Sequence, residues 1–220
     1  MPTLPAAARP ERNSNGFVTI DGFVLAGGNS RRFGHDKALA RGNGRSFVET
    51  AVDTLMKAGY NRVVVLHRQP AELGFLECEV LEDLGGGQGP LDGLLTALSL
   101  ARTDLVATLP VDQPLVTSDI IRQLRDVAGE DPDTDMVSVT DENEARHHLT
   151  AVWRRSTCQP VFSRHFSRGE SSPRRVLDDL RCRWVRCPTA LLINVNHPED
   201  LPSRWPTLAG EGVCDVDENS

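Results

Sequence analysis

No apolar run in the chain approaches 18 residues, which excludes an ordinary helical membrane span. An excess of positive charge is also missing. The formal net charge is −7, whereas a general nucleic-acid binder needs a basic surface. A single nucleotide site needs only local positive charge and stays open. Five cysteines (Cys78, Cys158, Cys182, Cys187, Cys214) form an odd, scattered set without a CxxC pair. That excludes a disulfide framework and leads us to expect reduced thiols in a cytoplasmic protein. Cys182 and Cys187 flank four residues with no second pair nearby, so they do not read as zinc ligands. The opening MPTLPAAARPERNSNG has no continuous apolar core and does not read as a secretory signal. There are no internal repeats.

What is present suffices for a core. Hydrophobic residues make up 39% of the 220 and charged residues 25%, as in an ordinary soluble domain. We expect a mobile tail over 1–16, one domain over 17–204 and a frayed acidic tail over 205–220. The domain divides into a nucleotide half (about 17–130) and an acceptor half (about 131–204).

Strand and helix patterns alternate through the first half. Phe17 to Leu25, Asn61 to His67, Glu79 to Glu82 and Asp104 to Leu109 read as strands. Ala38 to Asn43 is a short connection. Ser46 caps a helix with Val48, Val52, Leu55 and Met56 on one face. Pro90 opens a helix over Leu91 to Ala101, with Asp92 on its surface, and Thr117 or Ser118 caps another. In the second half, Met136 to Thr140, Leu149 to Trp153, Trp184 to Arg186 and Leu191 to Val195 read as strands. Ser156 to Phe166, Pro173 to Leu180 and a short stretch from Pro198 read as helices. The fold class expected is α/β, a three-layer Rossmann-like sandwich around a mostly parallel sheet. Ligands then bind beyond the strand C-termini, where the glycine loop, Asp83 and Asp112 all fall.

The chain is organised around VLAGGNSRRFGHDKAL, residues 24–39. A buried strand ends in Ala26-Gly27-Gly28, where two glycines allow a sharp turn and close approach to a ligand. Their amides can converge on phosphate oxygens, and Arg31, Arg32 and Lys37 supply positive charge. The stretch is neither GxxxxGK[ST] nor GxGxxG. It reads as a nucleotide triphosphate cradle. Asp112, between Pro110 and Pro114 at a strand end, is the candidate Mg²⁺ ligand, because Mg²⁺ takes few protein oxygens and keeps several waters.

This loop resembles the signature of the molybdenum cofactor guanylyltransferases. The match runs over Leu25, Ala26, Gly27, Gly28, Ser30, Arg32, Gly34, Asp36 and Lys37, with Phe33 where Met is usual. Pro110-Val111-Asp112-Gln113-Pro114 is similar to the family's P-C-D-x-P, and Asn194 to Leu201 to its N-x-N-T-P-E-D-L. Gly89 to Leu94 matches G-P-L-x-G-L. The resemblance implies that Leu25, Ala26, Gly27, Gly28, Lys37, Asp83 and Asp112 bind nucleotide, with Arg32, Lys37 and Asp112 acting in catalysis. It implies Asn196 as the second metal ligand, supported by Asn194. Asp83 would meet guanine N–H groups or ribose hydroxyls. Family members often carry Asn just after the second strand, where this chain has Leu66-His67-Arg68. His148, Arg174 and Arg175 match the family's H-P and R-R-V segments and would face the acceptor.

The reaction implied is GMP transfer from GTP to the terminal phosphate of molybdopterin or molybdenum cofactor, releasing pyrophosphate. Molybdoenzymes or their chaperones would be further partners. Three other readings stay open: a cytidylyltransferase for the same pterin, a nucleotidyltransferase for a sugar phosphate or other small phosphate acceptor, and a non-catalytic nucleotide-binding adaptor.

Overall fold

Apolar residues in the strands point alternately to two faces, and burying both requires helices on each side. The structure, a computed structural model, describes residues 18–27, 36–60, 62–83, 89–201 and 215–216. The first strand is β1 (Ile20–Leu25). A short hairpin, β2 (Arg41–Gly42) and β3 (Arg45–Ser46), leads to α1 (Phe47–Lys57). Then come β4 (Arg62–His67), β5 (Glu79–Glu82), α2 (Pro90–Leu100), β6 (Leu105–Pro110) and α3 (Ser118–Glu130). The second half holds β7 (Met136–Thr140), β8 (Arg146–Arg154), α4 (Arg155–Phe166), β9 (Cys182–Arg186) and β10 (Asp215–Val216).

One eight-stranded sheet runs β10-β9-β7-β8-β6-β1-β4-β5. The pairs β1/β4, β1/β6, β4/β5 and β7/β9 are parallel, while β8 runs against both its neighbours. On one face Val24, Val65, Ala107, Val137 and Val152 pack with Val48, Val52 and Leu55 of α1 and with Ile120 and Leu124 of α3. On the other, Phe23, Val64, Leu66, Val106 and Trp153 pack with Leu91, Leu94 and Leu98 of α2 and with Cys158 and Phe162 of α4. The three-layer sandwich expected from the sequence is therefore the fold. Ser46 caps α1 through a reciprocal box with Glu49, worth about 1 kcal/mol. Thr117 caps α3.

Several local readings need correction. Residues 38–43 are more than a connection: Asn43 and Gly44, at φ 53° and 81°, make a tight turn between β2 and β3. Met56 is 45% exposed, one step off the buried face of α1. Residues 173–180 form two 3₁₀ turns, Pro173–Arg175 and Leu177–Asp179, instead of a helix. The tighter winding stacks Pro173 and Val176, three apart, so that both are buried. Residues 191–195 are not a strand. Leu191, Leu192 and Val195 are all buried, which period-two alternation cannot achieve on one covered face, and the Val195 N–H bonds outside any ladder. Asp92 is only 9% exposed, and its Oδ2 has no hydrogen-bond partner among the described residues, contrary to the surface position expected. Within the C-terminal stretch expected to fray, Asp215 and Val216 pair with Arg186 and Val185.

Candidate active site

Because β1, β4, β5 and β6 run parallel, their C-terminal ends share one rim of the sheet. β8 runs oppositely, so its first residues reach the same rim. Backbone bonds tie the rim together: Ala26 N–H to Leu66 C=O (3.0 Å), Asp83 N–H to His67 C=O (3.0 Å) and Val111 N–H to Leu25 C=O (3.2 Å). Leu25, Ala26, Gly27, Asp83 and Asp112 thus sit together. Gly28 and Arg32 lie outside the described residues.

Gly27 is required sterically. A Cβ there would come 2.2 Å from Asp83 Oδ2, and the same oxygen would lie 3.4 Å from a Cβ at Gly93 on α2. The Asp83 carboxylate is thus wedged between the end of β1 and the first turn of α2.

Lys37 begins a 3₁₀ turn, Lys37–Leu39, whose N-cap is Asp36. Its ammonium lies 3.5 Å from Asp112 Oδ2 and 3.0 Å from Asn196 Oδ1. The loop bearing Asn196 is held in two ways. Val195 N–H donates to the Asp112 carbonyl at 2.8 Å, and Asp200 accepts from the Asn196 and His197 amides at 2.7 and 2.8 Å. Those two amide bonds, with the charges of His197 and Lys37, hold the Asp200 carboxyl below its usual range. Asp200 therefore has a positioning part that was visible in the sequence only as a letter of the C-terminal motif.

Asp112 is backed by Gln113, which is 3% exposed. The Gln113 amide donates to His147 Nδ1 (2.7 Å) and to the Leu192 carbonyl (3.1 Å), and its oxygen accepts from the Thr150 hydroxyl. With Nδ1 accepting, a neutral His147 carries its proton on Nε2, a buried atom without a partner among the described residues. Burial holds the His147 pKa below its ordinary value, against the opposing charges of Asp141 and Asp112.

Between β7 and β8 the register slips: Ser138 faces Ala151 while Val139 faces His147, so residues 148–150 bulge out. The Ser138 hydroxyl lies 3.0 and 2.9 Å from the carbonyls of His147 and Thr150, holding both ends of the bulge. His148 packs edge-on to Trp184 at 5.7 Å, and Arg146 lies over the same ring at 4.6 Å. Burial first, then the charges of Arg174, Arg146 and His147, keep the His148 pKa low. Of the expected acceptor residues, His148 thus lies within the field of the Arg174 charge. Arg175 turns to Glu170 at 3.3 Å, and Asn194 is exposed with no hydrogen bond among the described residues.

Among the described residues no group of three or more His, Cys, Asp or Glu side chains could hold a metal. The donor set at Lys37 is smaller: one carboxylate oxygen and one amide oxygen meeting on a single ammonium. Two hard oxygens converging where a positive charge sits fit a divalent cation that keeps most of its water.

A family profile described as "MobA-like NTP transferase domain" matches residues 22–186. A Bacillus cereus protein named "Probable molybdenum cofactor guanylyltransferase" is 37% identical over 199 residues, 86% of this chain and 98% of its own. An Aquifex aeolicus protein of the same name is 29% identical over 182 residues, 81% and 87% of the two chains. In fold, the chain is similar to the crystal structure of molybdopterin-guanine dinucleotide biosynthesis protein A from Archaeoglobus fulgidus. There the TM-score is 0.68 at 22% identity, covering 82% of this chain and 94% of that one.

Proposed function

The chain belongs to the MobA-like NTP transferase family, and from that premise we propose that it transfers GMP from GTP to the terminal phosphate of molybdopterin or molybdenum cofactor. One observation carries the site assignment: the Lys37 ammonium reaches both Asp112 Oδ2 and Asn196 Oδ1, at the rim where Gly27 and Asp83 also meet. The relatives named as guanylyltransferases support the choice of nucleotide and acceptor.

In this reading the Gly27 amide, with Gly28 and Arg32 of the same loop, binds the polyphosphate. Lys37 places its charge on the phosphate oxygens. Asp83 accepts hydrogen bonds from guanine N–H groups or ribose hydroxyls. Asp112 and Asn196 would hold Mg²⁺, which when bound spreads the negative charge accumulating on the phosphates. An oxygen of the acceptor phosphate attacks the α-phosphorus as the bond to the β-phosphate oxygen breaks, and pyrophosphate leaves with the electron pair. The acceptor is already an anion, so no side chain need take its proton and no covalent enzyme intermediate forms. His148 and Arg174 orient the acceptor, with Arg175 and Asn194 at its margin. No helix among the described residues is long and apolar enough to cross a membrane, and no disulfide forms among them. The setting proposed is cytoplasmic, from the odd, scattered set of cysteines, with molybdoenzymes or their chaperones receiving the product.

The test is pyrophosphate release from each NTP with and without molybdopterin, in Mg²⁺ and in EDTA. Release that needs GTP, molybdopterin and Mg²⁺ together is expected. Release with CTP alone among the nucleotides would overturn the guanine assignment, and release with a sugar phosphate alone would overturn the acceptor. No release under any condition would leave the adaptor reading. Asp112→Ala should abolish turnover with an unchanged melting temperature, and wild-type activity there would remove Asp112 from the mechanism.

A further inference from the structure

His67 ends β4 at the rim, and only 4% of it is exposed. Its backbone carbonyl accepts the Asp83 amide, and the preceding Leu66 carbonyl accepts the Ala26 amide. Its ring reaches a third segment. Nε2 lies 2.7 Å from Asp36 Oδ2, and a carboxylate accepts only, so Nε2 carries a proton. Nδ1 is enclosed by Gln69, 3.2 Å from its N–H and 3.1 Å from its carbonyl. With both nitrogens engaged internally, the ring is closed to a nucleobase, although it stands near where the family resemblance suggests an Asn.

The other oxygen of Asp36 accepts the Ala38 amide at 2.9 Å and caps the turn that carries Lys37. Among the described residues that turn has two other backbone bonds of its own, Leu39 N–H to Asp36 C=O and Ala40 N–H to Lys37 C=O, both 3.1 Å. So short a turn has little stiffness apart from its cap. One carboxylate thus joins a buried ring to the base of the lysine that meets Asp112 and Asn196.

We propose that His67 is a positioning residue for nucleotidyl transfer: its imidazole orients Asp36, and Asp36 fixes the turn that aims the Lys37 ammonium. The proposal rests on the function assigned above but concerns a residue that never touches substrate. It follows that the strand end carrying Asp83 and the turn carrying Lys37 are coupled through one side chain, so both sides of the nucleotide site keep a common register.

The chain has only two lysines, Lys37 and Lys57, so lysine labelled with ¹³C at Cε gives two side-chain signals. In His67→Ala the Lys37 signal should move and sharpen toward that of an unrestrained lysine while Lys57 stays put. His67→Gln, which retains a donor toward Asp36, should restore it. With GTP and molybdopterin, His67→Ala should lower kcat by about tenfold to a hundredfold with a smaller rise in KM, as expected when a charge is misplaced in the transition state. Added to Lys37→Ala, the same change should cost less than about twofold, because the group it positions is gone. If His67→Ala fails to fold, His67→Phe fills the volume without a donor and serves in its place. An unmoved Lys37 signal, or losses that simply add in the double variant, would overturn the proposal. The lysine signal is read without substrate, so an error in the assigned reaction would show as absent turnover while the positioning result stands.

Discussion

Lys37 and Asn196 are 159 positions apart in the chain, and 3.0 Å separates ammonium from amide oxygen. Asp112 lies on the same ammonium at 3.5 Å. Three segments with no sequence proximity therefore converge on one charge. In the proposed mechanism Lys37→Ala removes a charge-assisted hydrogen bond to phosphate, of about 1.5–3 kcal/mol. GTP affinity by calorimetry should fall by about tenfold to a hundredfold. Equal affinity in the variant would mean the ammonium serves the protein interior and not the nucleotide.

Gly27→Ala puts a methyl 2.2 Å from the Asp83 carboxylate. Asp83 has a short side chain wedged against α2, so one of the two segments must shift. The expected cost is about 1–3 kcal/mol of stability in urea unfolding, together with weaker nucleotide binding. Combining Gly27→Ala with Asp83→Ala should recover the stability and leave binding impaired. If Gly27→Ala alone is neutral in both measurements, the close approach is unimportant.

Gln113→Ala strands three partners at once: the Leu192 carbonyl and the Thr150 hydroxyl, both of buried residues, and Nδ1 of the half-buried His147. Each unpartnered buried group costs about 1–3 kcal/mol, less whatever water recovers. We expect the chain to lose several kcal/mol or fail to fold, whereas an exposed change such as Glu72→Ala should do nothing measurable. A Gln113→Ala protein as stable as wild type would show that these bonds contribute little.

Stability should fall on mild acidification. His147 and His148 both have pKa values held below the ordinary 6.5, chiefly by burial. A base with a depressed folded pKa contributes its full stability above the unfolded value, and that stability is lost as pH falls through the folded one. Urea midpoints should therefore drop below about pH 6.5. His148→Phe can keep the edge contact to Trp184 without a titrating group and should have a shallower slope. An unchanged slope in that variant would assign the effect to other groups.

Much of the architecture was legible without coordinates. Alternating apolar residues in strands such as Arg62–His67, the Ser46 cap and Pro90 at a helix start all act within a few residues, where spacing alone decides the outcome. That Lys37 and Asp112 lie together was legible too, because both fall just past the ends of parallel strands. Residues 173–180 and 191–195 were misread because their backbone follows what must be buried and not local propensity.

Sequence alone determined that strands and helices alternate, that their ends carry glycine and carboxylates, and therefore which rim gathers the candidate site residues. Only the tertiary structure decided the supporting contacts: His67 on Asp36, Gln113 on His147, Asp200 beneath Asn196 and the burial of Asp92. Strand order and register set which distant side chains meet, and an imidazole or amide has no preferred partner until a packed interior denies it water.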